Sequence, residues 1–588
     1  MRKLYTGLSA LLAFALPLHA ACVGGGGDGD KKPTRTEKTS LSINEDMVLE
    51  VLSTSAMTGP RLTQGFPWLG PILEARYSPE LEYEPVNNLF DAFDRESRMS
   101  SDALAELLRM FSGKAMEEEG SYIDAVGQSL LLVHNQATVD KLKATYQHLL
   151  KSTSPKLRME YLLYDLGPDS KDAQAGVLSS EKGAALFQQV QGGDLGRILH
   201  HGQASVRTGD ALRVGRQHKM SILGEVDVEI AQESMAGDPV LVHLDLGQEL
   251  ALRPILSSDG DHIAVLGLFT SRELHGGVLA ESLVAKGLKS IDQVRIDHRQ
   301  SAFSLKLADG QAYLLAPGGA AQPGLRVLLR MRRPDSKPQD PAGFAIVPTG
   351  LLSTTALRGG KNTQETPTWL TGKSMGASFV SDATQSLLSS DDDTLLLQNY
   401  PEFLFVRSKE AEKARRIVRR FSADLERSFV VEVRREVQRA EDPNAAWTAY
   451  GETVRFDCLG KRLGYAMSGY EQSYTADYEV EVAQKASIGD PKQRACFIGF
   501  RGWAAVLPAG ESMLVHLDLR DSSLLDWRRV AAPTETVGDI TVPSLELVRV
   551  QQQLMLKQGE SRSLGEGARR EIHGLPHRTR LSVKLIER

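Results

Sequence analysis

The chain reads as an α+β protein: two tandem copies of a small β-α-β module, each followed by a mainly antiparallel β domain. Three observations predict this. A strand-forming stretch is used twice, GEVDVEIAQESMAGDP at Gly224–Pro239 and YEVEVAQKASIGDP at Tyr478–Pro491. Val228, Glu229, Ala231, Gln232, Gly237, Asp238 and Pro239 recur as Val480, Glu481, Ala483, Gln484, Gly489, Asp490 and Pro491, an offset of 252 (480 − 228). Further on, LADGQ at Leu307–Gln311 is matched by LKQGE at Leu556–Glu560, nearly the same distance away. Finally, each copy opens with a short apolar strand and an amphipathic helix. Landmarks recurring in one order are the mark of internal duplication.

The first residues carry an export signal. Arg2 and Lys3 precede an apolar run, Leu8–Leu18, which is too short for a mature membrane span. Ala20 and Ala21 then precede Cys22, followed by a Gly-rich stretch. This resembles a bacterial lipoprotein signal, which implies lipidation of Cys22 and membrane contact through that lipid. Plain secretion, with cleavage beside Ala20 or Ala21, is the alternative. Residues 1–22 are thus read as signal and 23–40 as a flexible tether without core-forming side chains.

An N-terminal α/β segment follows at 41–118, in which Ala103–Met110 has helical spacing and Ser100–Asp102 can cap it. The first copy spans 119–333. Ser129–Val133 is its strand, and a helix places Val139, Leu142, Tyr146, Leu149 and Leu150 on one face. The strand LRMEYLLYDL then turns Leu157, Met159, Tyr161 and Leu163 to one side. Residues 334–386 form a Pro/Gly/Ser/Thr-rich linker with one strand, Phe344–Val347. The second copy, 387–588, repeats the plan with FLFV at Phe403–Val406, a helix carrying Ala411, Ala414, Ile417, Val418 and Phe421, and a strand from Phe429. Gly237-Asp238-Pro239 and Gly489-Asp490-Pro491 read as structural turns that break the repeated strands.

The modules around DALAELLRMFSGKAMEEEGSYIDAVGQSLLLVHNQATVDKLKATYQHLL, with the β segments closing on LADGQ and LKQGE, resemble the ring-building and core modules of secretins. Secretins are the outer-membrane ring proteins of type II and III secretion systems. The resemblance covers most of 102–333 and 387–588. It implies an envelope location at the outer membrane, facing the periplasm or surface. It also implies a non-enzymatic scaffold role, with other envelope or secretion-system proteins, or further copies of the chain, as partners. The Val-Pro-x-Leu-Gly-Asp-Ile-Pro stretch usual in the family's membrane core is not found, so the scaffold role is favoured over the pore. A monomeric lipid-anchored binding protein on the same fold is the alternative.

The remaining chemistry is sparse. A formal charge of −6 argues against a general nucleic-acid binder. Neither HExxH nor Cys-x-x-Cys is present among 13 histidines and 3 cysteines, so no metal site and no cofactor is expected. Adjacent His200 and His201 diverge on either a helix or a strand. Asp259, Asp261 and His262 read as a polar hairpin turn, and Asp391–Asp393 as a solvated linker end. Lys413, Arg416 and Arg420 read as a solvated helix face. Cys458 and Cys496 are either a local disulfide of an oxidising compartment or two small buried side chains. Their first-copy counterparts, at the offset of the strand motif, are Val206 and Leu244. GKSMG at Gly372 lies in linker-like sequence, so no hydrolase elbow is assigned and no catalytic residue is named.

Overall fold

The computed structural model describes residues 41–44, 47–54, 71–77, 101–112, 121–153, 156–166, 175–231, 234–276, 279–282, 290–317, 324–333, 344–353, 394–395, 403–442, 444–450, 453–483, 486–531, 540–572 and 575–588. The stretches read as signal and tether, with Cys22, Gly372 and Asp391–Asp393, lie outside these residues.

The chain begins with β1 (Leu41–Asn44), β2 (Met47–Ser53), helix α1 (Ile72–Tyr77), helix α2 (Ser101–Ser112), β3 (Tyr122–Val126), β4 (Ser129–His134) and helix α3 (Gln136–Thr153). Its four strands pair antiparallel in the order β1-β2-β4-β3. Leu104, Leu107 and Leu108 of α2 and Leu142, Tyr146 and Leu149 of α3 close one core with Leu130 and Leu132 of β4. The apolar face expected for α3 is the buried one, since the helical repeat brings these positions to one side.

Next come β5 (Lys156–Leu166), β6 (Gly176–Leu178), helix α4 (Ser180–Gly192) and β7 (Gly196–Arg207). Here the expected β-α-β unit is corrected. After α3 the chain does not return to the β4 sheet; β5 enters a five-stranded one, between β7 and the later strand Leu325–Arg332. The reason lies in β5 itself, which is buried on both faces. Leu157, Met159, Tyr161 and Leu163 enter one core and Leu162 and Tyr164 another, beneath Leu186, Phe187 and Val190 of α4. A strand buried on both faces belongs at a sheet centre.

Long strands follow: β8 (Leu212–Ala231), β9 (Ser234–Leu256), β10 (His262–Leu274), the short pair β11 (Leu279–Ser282) and β12 (Ser290–Gln293), and β13 (Arg295–Ala308). The first half ends with β14 (Ala312–Leu315) and β15 (Leu325–Arg332), which return to β5. The strand expected at Phe344–Val347 is present: β16 (Phe344–Pro348) pairs with β18 (Phe403–Arg407), which also takes β17 (Thr394–Leu395). Helix α5 (Ala411–Ser422) packs there through Ala411, Ala414 and Val418, with Ile417 and Phe421 partly buried.

The second half runs β19 (Ser428–Arg439), β20 (Thr448–Ala449), β21 (Val454–Leu459), β22 (Leu463–Ala483), β23 (Ala486–Ala509), β24 (Ser512–Val530), β25 (Ile540–Leu556), β26 (Ser561–Ile572) and β27 (Leu575–Glu587). As in the first half, the strand after the helix leaves the sheet before it: β19 joins β20, β21 and β27, not β18.

The centre of the molecule is an eight-stranded antiparallel sheet, β25-β24-β23-β22-β13-β10-β9-β8. Four strands come from each half, joined where β13 meets β22 from Arg295↔Gln472 to Ala302↔Tyr465. Two cores attach the smaller sheets to it. One joins β5 and β15 to Leu250, Leu252, Ile263, Val265, Leu305 and Leu307. The other joins β19 and β27 to Ala504, Val506, Met513, Val515, Leu554 and Leu556. Alternate residues of the same strands, such as Ala251, Ala264, Leu266 and Ala505, face a third core on the opposite side. The sheet coils enough to bring β8 near β23 and β25 near β22.

Candidate assembly surface

The Gly-Asp-Pro triplets are not turns. Gly237, Asp238 and Pro239 lie within β9, opposite Val228, Asp227 and Val226, and the hairpin closes at Ala231↔Ser234. Gly489, Asp490 and Pro491 lie within β23, opposite Val480, Glu479 and Tyr478, and that hairpin closes at Ala483↔Ala486. Expecting a break at Gly-Asp-Pro overweighted local punctuation, which a long ladder overrides through pairing on both sides of it.

The two hairpins share their irregularities. The ladder shifts register between Leu223 and Glu225, and again at the offset of the strand motif, between Thr475 and Asp477. Gly247 and Gly499, both at positive φ, face Gln217 and Gly469. At the foot, Gly209 has φ 80° and its N–H donates to the Pro254 carbonyl; Lys461 has φ 59° and donates to the Val506 carbonyl. The turns after β13 and β25 also agree, with an offset of 249 (559 − 310). Gly310 and Gly559 have φ 75° and 77°. The N–H groups of Ala308 and Lys557 both donate to a side-chain oxygen three positions on, Gln311 Oε1 and Glu560 Oε2, each at 2.8 Å.

Both edges of the long sheet are open: among the described residues β25 pairs only with β24, and β8 only with β9. On β25, Val542, Leu545 and Leu547 are 39, 39 and 61% exposed. On β8, residues Gly215–Lys219 are exposed. A long edge strand presenting apolar side chains is a template for another strand.

The junction between the halves is held by buried polar groups. Glu471 of β22 and His298 of β13 are fully buried with Oε2 and Nε2 2.5 Å apart. The Glu471 carboxylate also accepts the N–H groups of Ile72 and Glu74, both at 2.9 Å, which fastens α1 onto the sheet. Glu74 in turn pairs with Arg501 at 2.7 Å. Burial would raise the Glu471 pKa, but the His298 charge and these hydrogen bonds outweigh it and hold the carboxyl below its ordinary value. Leu73 of α1 sits in a core with Ile222, Val242, Leu244, Ile296 and Ala495, drawn from both halves. Lower down, Tyr313 donates to Asp457 at 2.9 Å, and Arg455 clasps the same carboxylate in bidentate fashion. Above this network lies a cavity of about 390 Å³ bordered by Arg295, Arg435, Arg455 and Tyr470. Its arginines are engaged: Arg295 lies over the Tyr470 ring, Arg435 pairs with Asp521, and Arg455 with Asp457.

Cys458 and Cys496 are free and buried, so no disulfide joins them. Cys458 packs among Phe429, Phe456 and Val583, as Val206 does in the core of the first half. Burial raises both thiol pKa values, that of Cys496 to about 12, with the Glu74 and Glu471 charges adding to it. His200 Nδ1 meets the Tyr161 hydroxyl at 2.8 Å, and His201 sits on the exposed side of β7. Asp259, Asp261 and His262 form the polar turn expected between β9 and β10. Asp259 accepts the N–H groups of Asp261 and His262, and Lys306 bridges it to Glu426. Arg416 and Arg420 are exposed and Lys413 half-buried. Among the described residues no three His, Cys, Asp or Glu side chains gather as a metal site, and no helix is long and apolar enough to cross a membrane.

Two features escaped the sequence reading. One is α4, whose ends were legible: Ser179 Oγ accepts the Lys182 N–H, and Gly193 closes it at φ 83°. The other is the junction pair His298–Glu471, whose members stand in different halves of the chain, beyond the reach of any local pattern.

No protein-family model matches this chain, and no curated protein matches it. Among solved structures, Aeromonas hydrophila ExeD aligns at 10% identity over 92% of this chain and 89% of that one, with a TM-score of 0.16. The InvG secretin-domain β-barrel of the Salmonella SPI-1 injectisome aligns at 9% identity over 33% and 72%, TM-score 0.16. The V. cholerae type IV competence pilus secretin PilQ aligns at 9% identity over 84% and 76%, TM-score 0.15. Scores this low do not place the chain in a family.

Proposed function

We propose that this chain is an exported, non-enzymatic scaffold of a bacterial cell envelope, anchored by a lipid on Cys22, that builds a secretin-like assembly from duplicated halves. Its partners are further copies of itself and other envelope proteins. The observation that supports this reading is the sheet with two open edges, one of them lined by Val542, Leu545 and Leu547. The irregularities shared between the two long hairpins, and between the turns after β13 and β25, support the duplication.

The test is an edge block. Leu545→Lys with Leu547→Lys places charge on side chains that are already solvated, so the fold is kept. The wild-type chain is expected to elute as a multimer and the variant as a monomer with an unchanged circular-dichroism spectrum. A wild-type chain that is monomeric throughout would remove the assembly role and leave the monomeric binding protein.

A further inference from the structure

We infer that the internal junction β13·β22 is the template for the contact between copies, so that β25 of one chain pairs with β8 of the next in a defined register. This rests on the assembly reading above and goes on to name the partner, a second copy, and the residues that meet.

Two offsets, 252 and 249, relate the strands of one half to those of the other. β25 stands to the second half as β13 does to the first, since Leu305 and Leu307 face one core and Leu554 and Leu556 the other, at the offset of the Gly310 and Gly559 turns. β8 stands to the first half as β22 does to the second, at the offset of the strand motif: Val214 packs on the first of these cores and Ala466 on the second. Carrying the junction pair Arg295↔Gln472 across gives Ser544 opposite Met220 (295 + 249 and 472 − 252). In the same way Ala302↔Tyr465 becomes Gln551 opposite Arg213, and Ser301↔Ala466 becomes Val550 opposite Val214.

Three independent features fit this register. The windows 544–551 and 213–220 both fall inside the edge strands. Every residue in them is exposed or half-buried, whereas Arg299, Gln300, Tyr465 and Met467 at the internal junction are buried. The upper window opens directly after Pro543, which has no N–H to give a ladder and marks where an edge strand can stop pairing. Strand direction also agrees. Eight strands alternate, so β25 and β8 run oppositely, and copies all pointing the same way meet antiparallel. The contact is head-to-tail, so it propagates to a ring or a filament rather than closing as a two-fold dimer.

Opposed Cα atoms in antiparallel strands lie about 4.5–5.5 Å apart, within reach of a disulfide. The experiment oxidises the full-length chain carrying Val214→Cys and Val550→Cys, beside a control with Val214→Cys and Val548→Cys. Ser301→Cys with Ala466→Cys reports the internal junction and should link within one chain. The expected result is a ladder of covalent multimers for 214/550 and at least a tenfold lower yield for 214/548. A ladder from 214/548 instead, or no ladder while light scattering shows multimers, overturns the register and leaves the assembly reading standing. Dimers from Val550→Cys alone would show an edge paired with itself and overturn the head-to-tail contact. A monomer by light scattering overturns both.

Discussion

Replacing Glu471 with Ala should both loosen α1 and weaken the junction between the halves. The carboxylate is fully buried and serves three partners: His298 Nε2 at 2.5 Å and the N–H groups of Ile72 and Glu74 at 2.9 Å. Removing one member of a buried ion pair costs roughly 3–5 kcal/mol, because the other charge is left uncompensated. Each orphaned backbone donor adds about 1–3 kcal/mol unless water enters the vacated space. Water admitted to the vacated space satisfies the two donors and leaves the pair's own contribution, an expected loss of about 3–5 kcal/mol. Urea unfolding at pH 7 reads the loss for the transition containing the sheet, and amide exchange at Ile72 and Glu74 reads release of α1 directly. Glu471→Gln keeps an acceptor and should cost less. His298→Ala in the Glu471→Ala background should cost less than in wild type, with a coupling of about 0.5–3 kcal/mol. A loss under about 1 kcal/mol with unchanged exchange at Ile72 would refute the claim that this carboxylate fastens α1.

Further consequences can be checked on the same protein. Lys461 is the one described non-glycine residue at positive φ, and Gly209 occupies the matching turn, so Lys461→Gly should stabilise by about 0.5–1 kcal/mol in thermal unfolding. The thiols of Cys458 and Cys496 are held protonated by burial and should resist maleimide at pH 8 until the protein unfolds. Cys458→Val should cost less than about 1.5 kcal/mol, since Val206 fills the corresponding core position. Asp259 has its pKa lowered to about 2: burial opposes this, and the Lys306 bond together with the Asp261 and His262 N–H groups outweighs it. Its contribution should therefore be complete above the unfolded value of about 4 and fade as pH falls toward 2. Asp259→Asn should flatten that part of the acid-unfolding curve.

What the sequence disclosed, and what it withheld, follows the range of the interactions. Local periodicity disclosed α3, α5 and the face Leu157–Leu163 of β5, because helix and strand repeats set which side chains share a side. The repeated motif disclosed the correspondence of Cys458 with Val206 and a strand common to both halves, but not the hairpins those strands form. Sheet membership was not legible. Whether β5 returned to β4 or crossed to β15 depended on burial of Leu162 and Tyr164 beneath α4, a partner supplied from elsewhere in the chain. The Gly-Asp-Pro expectation failed for the same reason, since pairing along β8 and β22 fixed those residues as strand. The assembly surface was the least legible part. An edge strand and a central strand read alike until the neighbour on each side is known.

The most direct test of the central claim is the solution mass of the wild-type chain by light scattering over a hundredfold range of concentration. The open edges of β25 and β8 predict a mass of two chains or more, constant on dilution for a closed ring and rising with concentration for a filament. A single-chain mass at every concentration would contradict assembly through these edges.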